Sequence, residues 1–346
     1  MKVLVTGATG YFGHELAAVL ARRGHQVQVL VRNPASPHIP SHPNVSFFQG
    51  DILDADAIDS AMAGCEAVFH TAAFVGLYSV QGADIFDVNV NGTVNLLKSA
   101  VKHGVRDFIF TSTCGVIGTT TDKPLQENDA MTEGFANDYD LSKHLAEQKV
   151  KEFSKKGLHT VIINASKIFG PGNDRHSLSV NQIIKRYASG KVCFCPSPMS
   201  YQANYVFIGD LIDGHILGWR KGRPGENYII GSANLSYKEI FNALKLAAGR
   251  EGIVLAAPEW VAGIYGYVHY FFKKLAGGQP FFSGNDTKNL YCNKVYSIQK
   301  AIDELGYKPS PMLHSLKKTI DYFDEERDRL KLKNKGSGLK IYPNKI

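Results

Sequence analysis

The amino terminus constrains the fold more than any other part of this chain. Lys2 to Thr6 (KVLVT) is a short apolar run rich in β-branched residues, too brief for a helix and suited to a buried strand. Gly7-Ala8-Thr9-Gly10-Tyr11-Phe12-Gly13 follows, then HELAAVLARRGH, where Leu16, Val19 and Leu20 recur at helical spacing and Gly24 supplies a stop. Strand, glycine turn and helix in that order are the context a phosphate cradle needs. Gly7 would allow the tight turn and Gly10 would let the backbone approach a pyrophosphate. Gly13 would let helix and strand pack closely, with the helix N-terminus facing the anion. The spacing is GxxGxxG rather than the commoner GxGxxG, and the plain alternative is a βα turn that binds nothing.

The second expected strand, Gln26 to Val31, ends in Arg32-Asn33, where an NAD-preferring site would usually carry an acidic residue for the ribose diol. A guanidinium there can meet a 2′-phosphate bidentately and stack on the adenine, which favours NADP(H) over NAD(H). The bland reading is a solvated arginine. Val45 to Gln49 reads as the third strand and runs into Gly50-Asp51-Ile52, whose Asp51 could accept from the adenine amino group. Ala67 to His70, the fourth, ends in Thr71-Ala72-Ala73, whose small side chains would let the backbone lie against a cofactor.

Asp107 to Thr111 reads as a fifth strand that delivers Ser112 and Thr113 to its carboxyl end, where open parallel sheets put their ligand crevice. Tyr139 and Lys143 then open an amphipathic helix and share one of its faces at i, i+4. An ammonium beside a phenol favours phenolate and should lower Tyr139 from its reference of about 10. The phenol can give a proton to a carbonyl oxygen as hydride arrives, or take one in reverse. A hydroxyl such as Thr113 would bond the same oxygen. Alone, the Tyr/Lys pair is also consistent with a surface helix face; the glycine turn upstream weighs against that.

At this point the chain resembles the extended short-chain dehydrogenase/reductase family over residues 1–325. The resemblance rests on TGATGYFG, the GDI at Gly50, the HTAA at His70, and NVNGTVNLL at Asn89. It continues through FTSTCGVIG, YDLSK, IFGPG at Ile168 and YVFIGDLIDG at Tyr205. It implies an α/β fold: a Rossmann-type doubly wound parallel sheet with a smaller C-terminal substrate-binding lobe. It implies Thr113, Tyr139 and Lys143 as the catalytic set, with Lys143 also holding the nicotinamide ribose. The backbone of Tyr11 and Phe12 would meet the pyrophosphate, and Thr9, Ser166 and Ile168 join the expected cofactor contacts. Where the family commonly carries Arg-Pro, this chain has Asn164-Ala165-Ser166-Lys167. Within the family it looks most like the dihydroflavonol-reductase-like and 3β-hydroxysteroid-dehydrogenase-like branch, which interconverts ketones or aldehydes and alcohols on apolar scaffolds.

The alternating strand and helix patterns predict a dinucleotide-binding domain over residues 1–168. A mainly substrate-binding lobe over 169–325 follows, with some chain crossing back, and then a basic tail over 326–346. Net charge is +7, with the excess gathered in the tail. No interleaved basic and aromatic stripe favours nucleic acid, and the histidines lack metal-ligand spacing. Five cysteines without a secretory leader suit a reducing cytoplasm, and Cys193-Phe194-Cys195 reads as two buried thiols in a lobe strand.

Phe74, Val75 and Tyr78 suit a hydrophobic substrate wall. The alternative is a nucleotide-sugar epimerase or dehydratase, for which Arg175, Lys185 and Arg186 would serve a diphosphate; a catalytically silent cofactor sensor is a third class. The helices expected after Asn89 and Tyr139 could form a homodimer interface. The aromatic segment 258–272, at 15 residues, is shorter than the roughly 20 a membrane span needs. It reads as a helix roofing the pocket or one resting on lipid through Trp260, Ile264, Tyr267 and Phe271.

Overall fold

The computed structural model describes residues 1–75, 85–120, 123–129, 131, 134–172, 179–264 and 290–336. Its larger half is a seven-stranded sheet. The strands are β1 (Lys2–Thr6), β2 (Gln26–Val31), β3 (Val45–Gln49), β4 (Ala67–His70), β5 (Asp107–Thr113), β6 (His159–Ala165) and β10 (Asn227–Ile230), in the order β10-β6-β5-β4-β1-β2-β3. Every pairing is parallel. The order reverses between β1 and β4, and a ligand crevice belongs at the carboxyl ends of the strands there.

The two faces of the sheet are covered separately, as all-parallel sheets require. Val3, Val5, Val27, Val29, Val161 and Ile163 face α1 (Tyr11–Arg22) and α6 (Ile208–Lys221). Leu4, Leu30, Val68, Phe108, Phe110 and Ile162 face α2 (Ala55–Met62), α3 (Gly92–Lys102) and α4 (Asp138–Lys155). Local chemistry starts these helices where the chain needs them. The Asp54 carboxylate accepts from the amides of Asp56 and Ala57 to cap α2, and Asn137 accepts from the Asp140 amide at 2.8 Å to cap α4.

The lobe contains a three-stranded sheet in the order β11-β9-β7, formed by β7 (Lys167–Phe169), β9 (Gln202–Phe207) and β11 (Ala233–Ser236). A parallel pair joins β8 (Cys193–Ser197) to β12 (Val254–Pro258). Against these pack α5 (Ser179–Ala188), α7 (Tyr237–Ala248) and α8 (Met312–Gly336), burying Phe169, Ile184, Phe241, Leu244, Leu316 and Ile320 in one apolar cluster. Cys193 and Cys195 are buried on the same side of β8 while Phe194 is exposed. The chain returns to the large sheet through α6 and β10 before the lobe is complete. Residues 326–336 continue α8 rather than leaving it. Among the described residues, no helix is long and apolar enough to cross a membrane.

Candidate active site

The glycine turn lies under the carboxyl ends of β1 and β4. Gly7 sits at φ +76°, and a Cβ there would lie 2.7 Å from the Ala72 amide nitrogen, so only glycine fits. A Cβ on Gly13 would collide with the Gly7 carbonyl oxygen and the Thr71 hydroxyl. Gly10 meets only the Gly7 carbonyl, at 3.2 Å, so its outer side stays open. Gly10 is the N-cap of α1, yet no side chain caps this helix and no acidic residue occupies its first turn. An open glycine face before an uncapped helix N-terminus fits a pyrophosphate.

Thr9 is half-buried beside Gly10. Arg32 is exposed just past the end of β2, and Asp51 accepts from the Leu53 amide at 3.0 Å. Ile52 is buried and pressed against Gly92, where a Cβ would lie 2.7 Å from its Cδ1. Ala72 donates its amide to Thr6 Oγ1, and Ala73 follows at the crevice rim. The Phe12 ring lies 4.6 Å from that of His215. Ser166 is buried, with its hydroxyl lacking any partner, and half-buried Ile168 follows it in β7. An orphaned buried hydroxyl at the crevice is a second feature that fits a polar ligand.

The Tyr11 side chain runs the other way. Its hydroxyl donates to the Gly170 carbonyl at 2.8 Å, and Asn181 of α5 bonds both the amide and the carbonyl of Gly170. The first residue of α1 is thereby tied to the lobe.

Thr113 is the last residue of β5, two residues beyond the expected end of that strand. Its Oγ1 accepts from the Gly115 amide at 3.0 Å, capping a 3₁₀ turn over Cys114–Val116. Tyr139 is half-buried in the first turn of α4 and Lys143, one turn on, is 2% exposed. The Lys143 ammonium stands 3.9 Å from the centroid of the Phe110 ring. Burial pushes Lys143 down to about 7, and Glu147 opposes that shift. Lys143 was expected to draw the phenol down, but the surroundings act otherwise. Burial raises Tyr139 above its ordinary value, because phenolate loses its water, and the Asp140 carboxylate adds to the effect.

Four residues whose roles the sequence did not reveal surround this set. Glu147 is buried and accepts from Asn164 at 2.7 Å and from Asn227 at 3.0 Å. Asn164 also donates to the Thr113 carbonyl at 3.1 Å, so the residue replacing the usual arginine braces the end of β5. Asn89, in a π-helical turn over Asp87–Asn91, donates to Ser142 of α4 and clamps both backbone groups of Phe74. His70 is fully buried between Thr6 and Thr93, and burial holds it well below its ordinary value, with Lys143 adding. Glu147 was findable, since it continues the i, i+4 series from Tyr139 and Lys143.

The expected substrate wall is partly visible. The Phe74 backbone is fixed by Asn89, Val75 is exposed, and Tyr78 lies outside the described residues. Of the cations a sugar diphosphate would need, Lys185 pairs with Glu326 at 3.2 Å and Arg186 donates to the Val192 carbonyl; Arg175 lies outside the described residues. Within segment 258–272, Pro258 ends β12, residues 259–264 are helical, and Trp260 and Ile264 are exposed. Tyr267 and Phe271 lie outside the described residues. Among the described residues, no three His, Cys, Asp or Glu side chains could hold a metal.

A doubly wound parallel sheet with an open glycine cradle at its switch point is the fold of a dinucleotide-binding enzyme. A family model describing the NAD dependent epimerase/dehydratase family matches residues 3–231, and the chain belongs to that family. It is an NAD(P)-dependent enzyme acting on alcohol or carbonyl groups of small molecules. It is similar to a putative dihydroflavonol 4-reductase of Synechocystis, 28% identical over 92% of this chain and 93% of that protein. It is also similar to a 3 beta-hydroxysteroid dehydrogenase/Delta 5→4-isomerase of Mycobacterium tuberculosis, 30% identical over 89% of this chain and 86% of that one. The UDP-glucose 4-epimerase of Thermotoga maritima shares the fold. Its TM-score is 0.76 at 23% identity, over 94% of this chain and 100% of that one.

Proposed function

We propose that the protein is an NADP(H)-dependent reductase or dehydrogenase interconverting a ketone or aldehyde and an alcohol on a largely apolar small molecule. The observation that carries this reading is the half-buried Tyr139 phenol one turn from the buried Lys143 ammonium, which stands over the Phe110 ring of β5. When bound, the nicotinamide supplies or accepts the hydride. Tyr139 gives the proton to the carbonyl oxygen or takes it back, and Thr113 donates a hydrogen bond that holds that oxygen. Lys143 holds the nicotinamide ribose. The exposed Arg32 guanidinium supports a 2′-phosphate contact, hence NADP(H).

The relatives' names support apolar ring substrates, and the engagement of Lys185 and Arg186 elsewhere counts against a sugar diphosphate. Five cysteines outside any disulfide, four of them buried, support a reducing, cytoplasmic setting. The adjacent α3 and α4 would supply a homodimer's four-helix interface. Exposed Trp260 and Ile264, one turn apart, support a peripheral lipid contact, which flotation with anionic vesicles tests. The reaction is tested by NADPH oxidation against aromatic ketones, steroids, aldehydes and UDP-sugars. Turnover confined to UDP-sugars would overturn the reading.

A further inference from the structure

The lobe's small sheet sets two lysines side by side. β9 carries β11 along one edge, in antiparallel register. Its other edge takes β7, with Lys167 opposite Tyr205, and a parallel bridge that puts Lys294 opposite Ala203. The Lys294 amide donates to the Gln202 carbonyl at 2.9 Å, and the Lys294 carbonyl accepts from the Asn204 amide at 2.8 Å, which fixes that register. Ala203 and Tyr205 are two apart, and parallel partners share a face, so Lys167 and Lys294 project from one side of the sheet. That side is apolar: Ala203, Tyr205 and Phe169 belong to the lobe's buried cluster.

Lys167 has little to hold it there. Its ammonium lies 5.9 Å from the centroid of the Tyr237 ring, and among the described residues no carboxylate or carbonyl accepts from it. Burial and the neighbouring charge of Lys294 push it down to about 8, with Cys292 opposing. An ammonium on an apolar face without an acceptor is costly. Its position supplies a reason for keeping it. Lys167 directly follows Ser166, whose buried hydroxyl is also unpartnered, and Lys294 lines a cavity of about 120 Å³ with Gly115 and Asp140, which lie within two residues of Thr113 and Tyr139 in the sequence.

We propose that Lys167, with Lys294 beside it, receives an oxyanion carried by the substrate: a carboxylate or phosphate on an otherwise apolar body. This rests on the proposed reductase reading for the reaction itself, while the anion site is tested by binding alone. The full chain saturated with NADP⁺ is titrated calorimetrically with 4-oxo-4-phenylbutanoate, with its methyl ester, and with UDP. The keto acid should bind at least about tenfold more tightly than the ester, the value of one charge-assisted hydrogen bond. Lys167→Met should abolish that preference and Lys167→Arg keep most of it. If UDP rather than the keto acid loses about tenfold in Lys167→Met, the oxyanion is a phosphate. Equal binding of acid and ester with UDP unmoved by Lys167→Met, or no binding of either anion at millimolar concentration, overturns the proposal. Removing an unpaired charge should also raise the melting temperature of the ligand-free variant. A Lys167→Met protein that melts lower or fails to fold marks Lys167 as a structural strut and overturns it too. Because no turnover is needed, a wrong role for Tyr139 leaves these outcomes unchanged.

Discussion

Gly115 and Asp140 touch so closely that a Cβ on Gly115 would overlap the Asp140 carboxylate. Gly115 stands two residues after Thr113, and Asp140 directly follows Tyr139. This one contact therefore sets how near the end of β5 the first turn of α4 can come. Gly115→Ala should push α4 outward, lowering kcat by about tenfold or more, since misplacement by an ångström is that costly, with a smaller change in cofactor affinity. Steady-state kinetics and cofactor titration check it; an unchanged kcat would mean that the turn and helix are positioned by other contacts.

Tyr139→Phe removes the transferable proton and little else. Turnover should fall by at least about a hundredfold, the usual weight of a general acid, while NADPH affinity stays near wild type. Wild-type rates in this variant would sink the proposed acid/base role.

Lys143 is charged in the unfolded chain up to its ordinary range but held at about 7 in the fold. Below pH 7 both states carry the proton, and the full cost of burying it is felt. Between pH 7 and about 10.4 the unfolded chain binds the extra proton, so stability rises with pH. Lys143→Met should accordingly melt higher than wild type at pH 6, by an amount worth a few kcal/mol on the order of the shift, and the gain should shrink toward pH 10. Activity should fall in the same variant. Melting curves that run parallel across that range would show that Lys143 is not desolvated.

Arg32→Asp should move preference from NADPH toward NADH. One charge-assisted contact is worth about 1.5–3 kcal/mol, so the ratio of the two kcat/KM values should change roughly tenfold to a hundredfold. A ratio that stays put places the 2′-phosphate contact elsewhere.

Much of the sheet half was legible because its signals are local. β1 to β4 begin and end where the apolar runs and glycine punctuation say, each run being short and all but the exposed edge strand β3 largely buried. β5 outlasts the expected strand by Ser112 and Thr113, whose pairing with Asn164 and Ala165 is a partner's contribution invisible in their own sequence. The same limit hid the Glu147, Asn164 and Asn227 cluster, assembled from α4, β6 and β10. Lobe strands β8, β9, β11 and β12 pair across long stretches of chain, where nothing local marks the register. The expected effect of Lys143 on Tyr139 missed for a different reason: sequence spacing gives proximity, but not how much water the fold takes away.

Tyr11 has two addresses. Its backbone opens the helix that faces the proposed dinucleotide, and its hydroxyl rests on Gly170, directly after the lobe strand β7. Grip on the cofactor and the set of the lobe thus share one rigid ring. Loosening Asn181, far along the sequence, would be felt at the glycine cradle, so the two halves hold their ligands as one device.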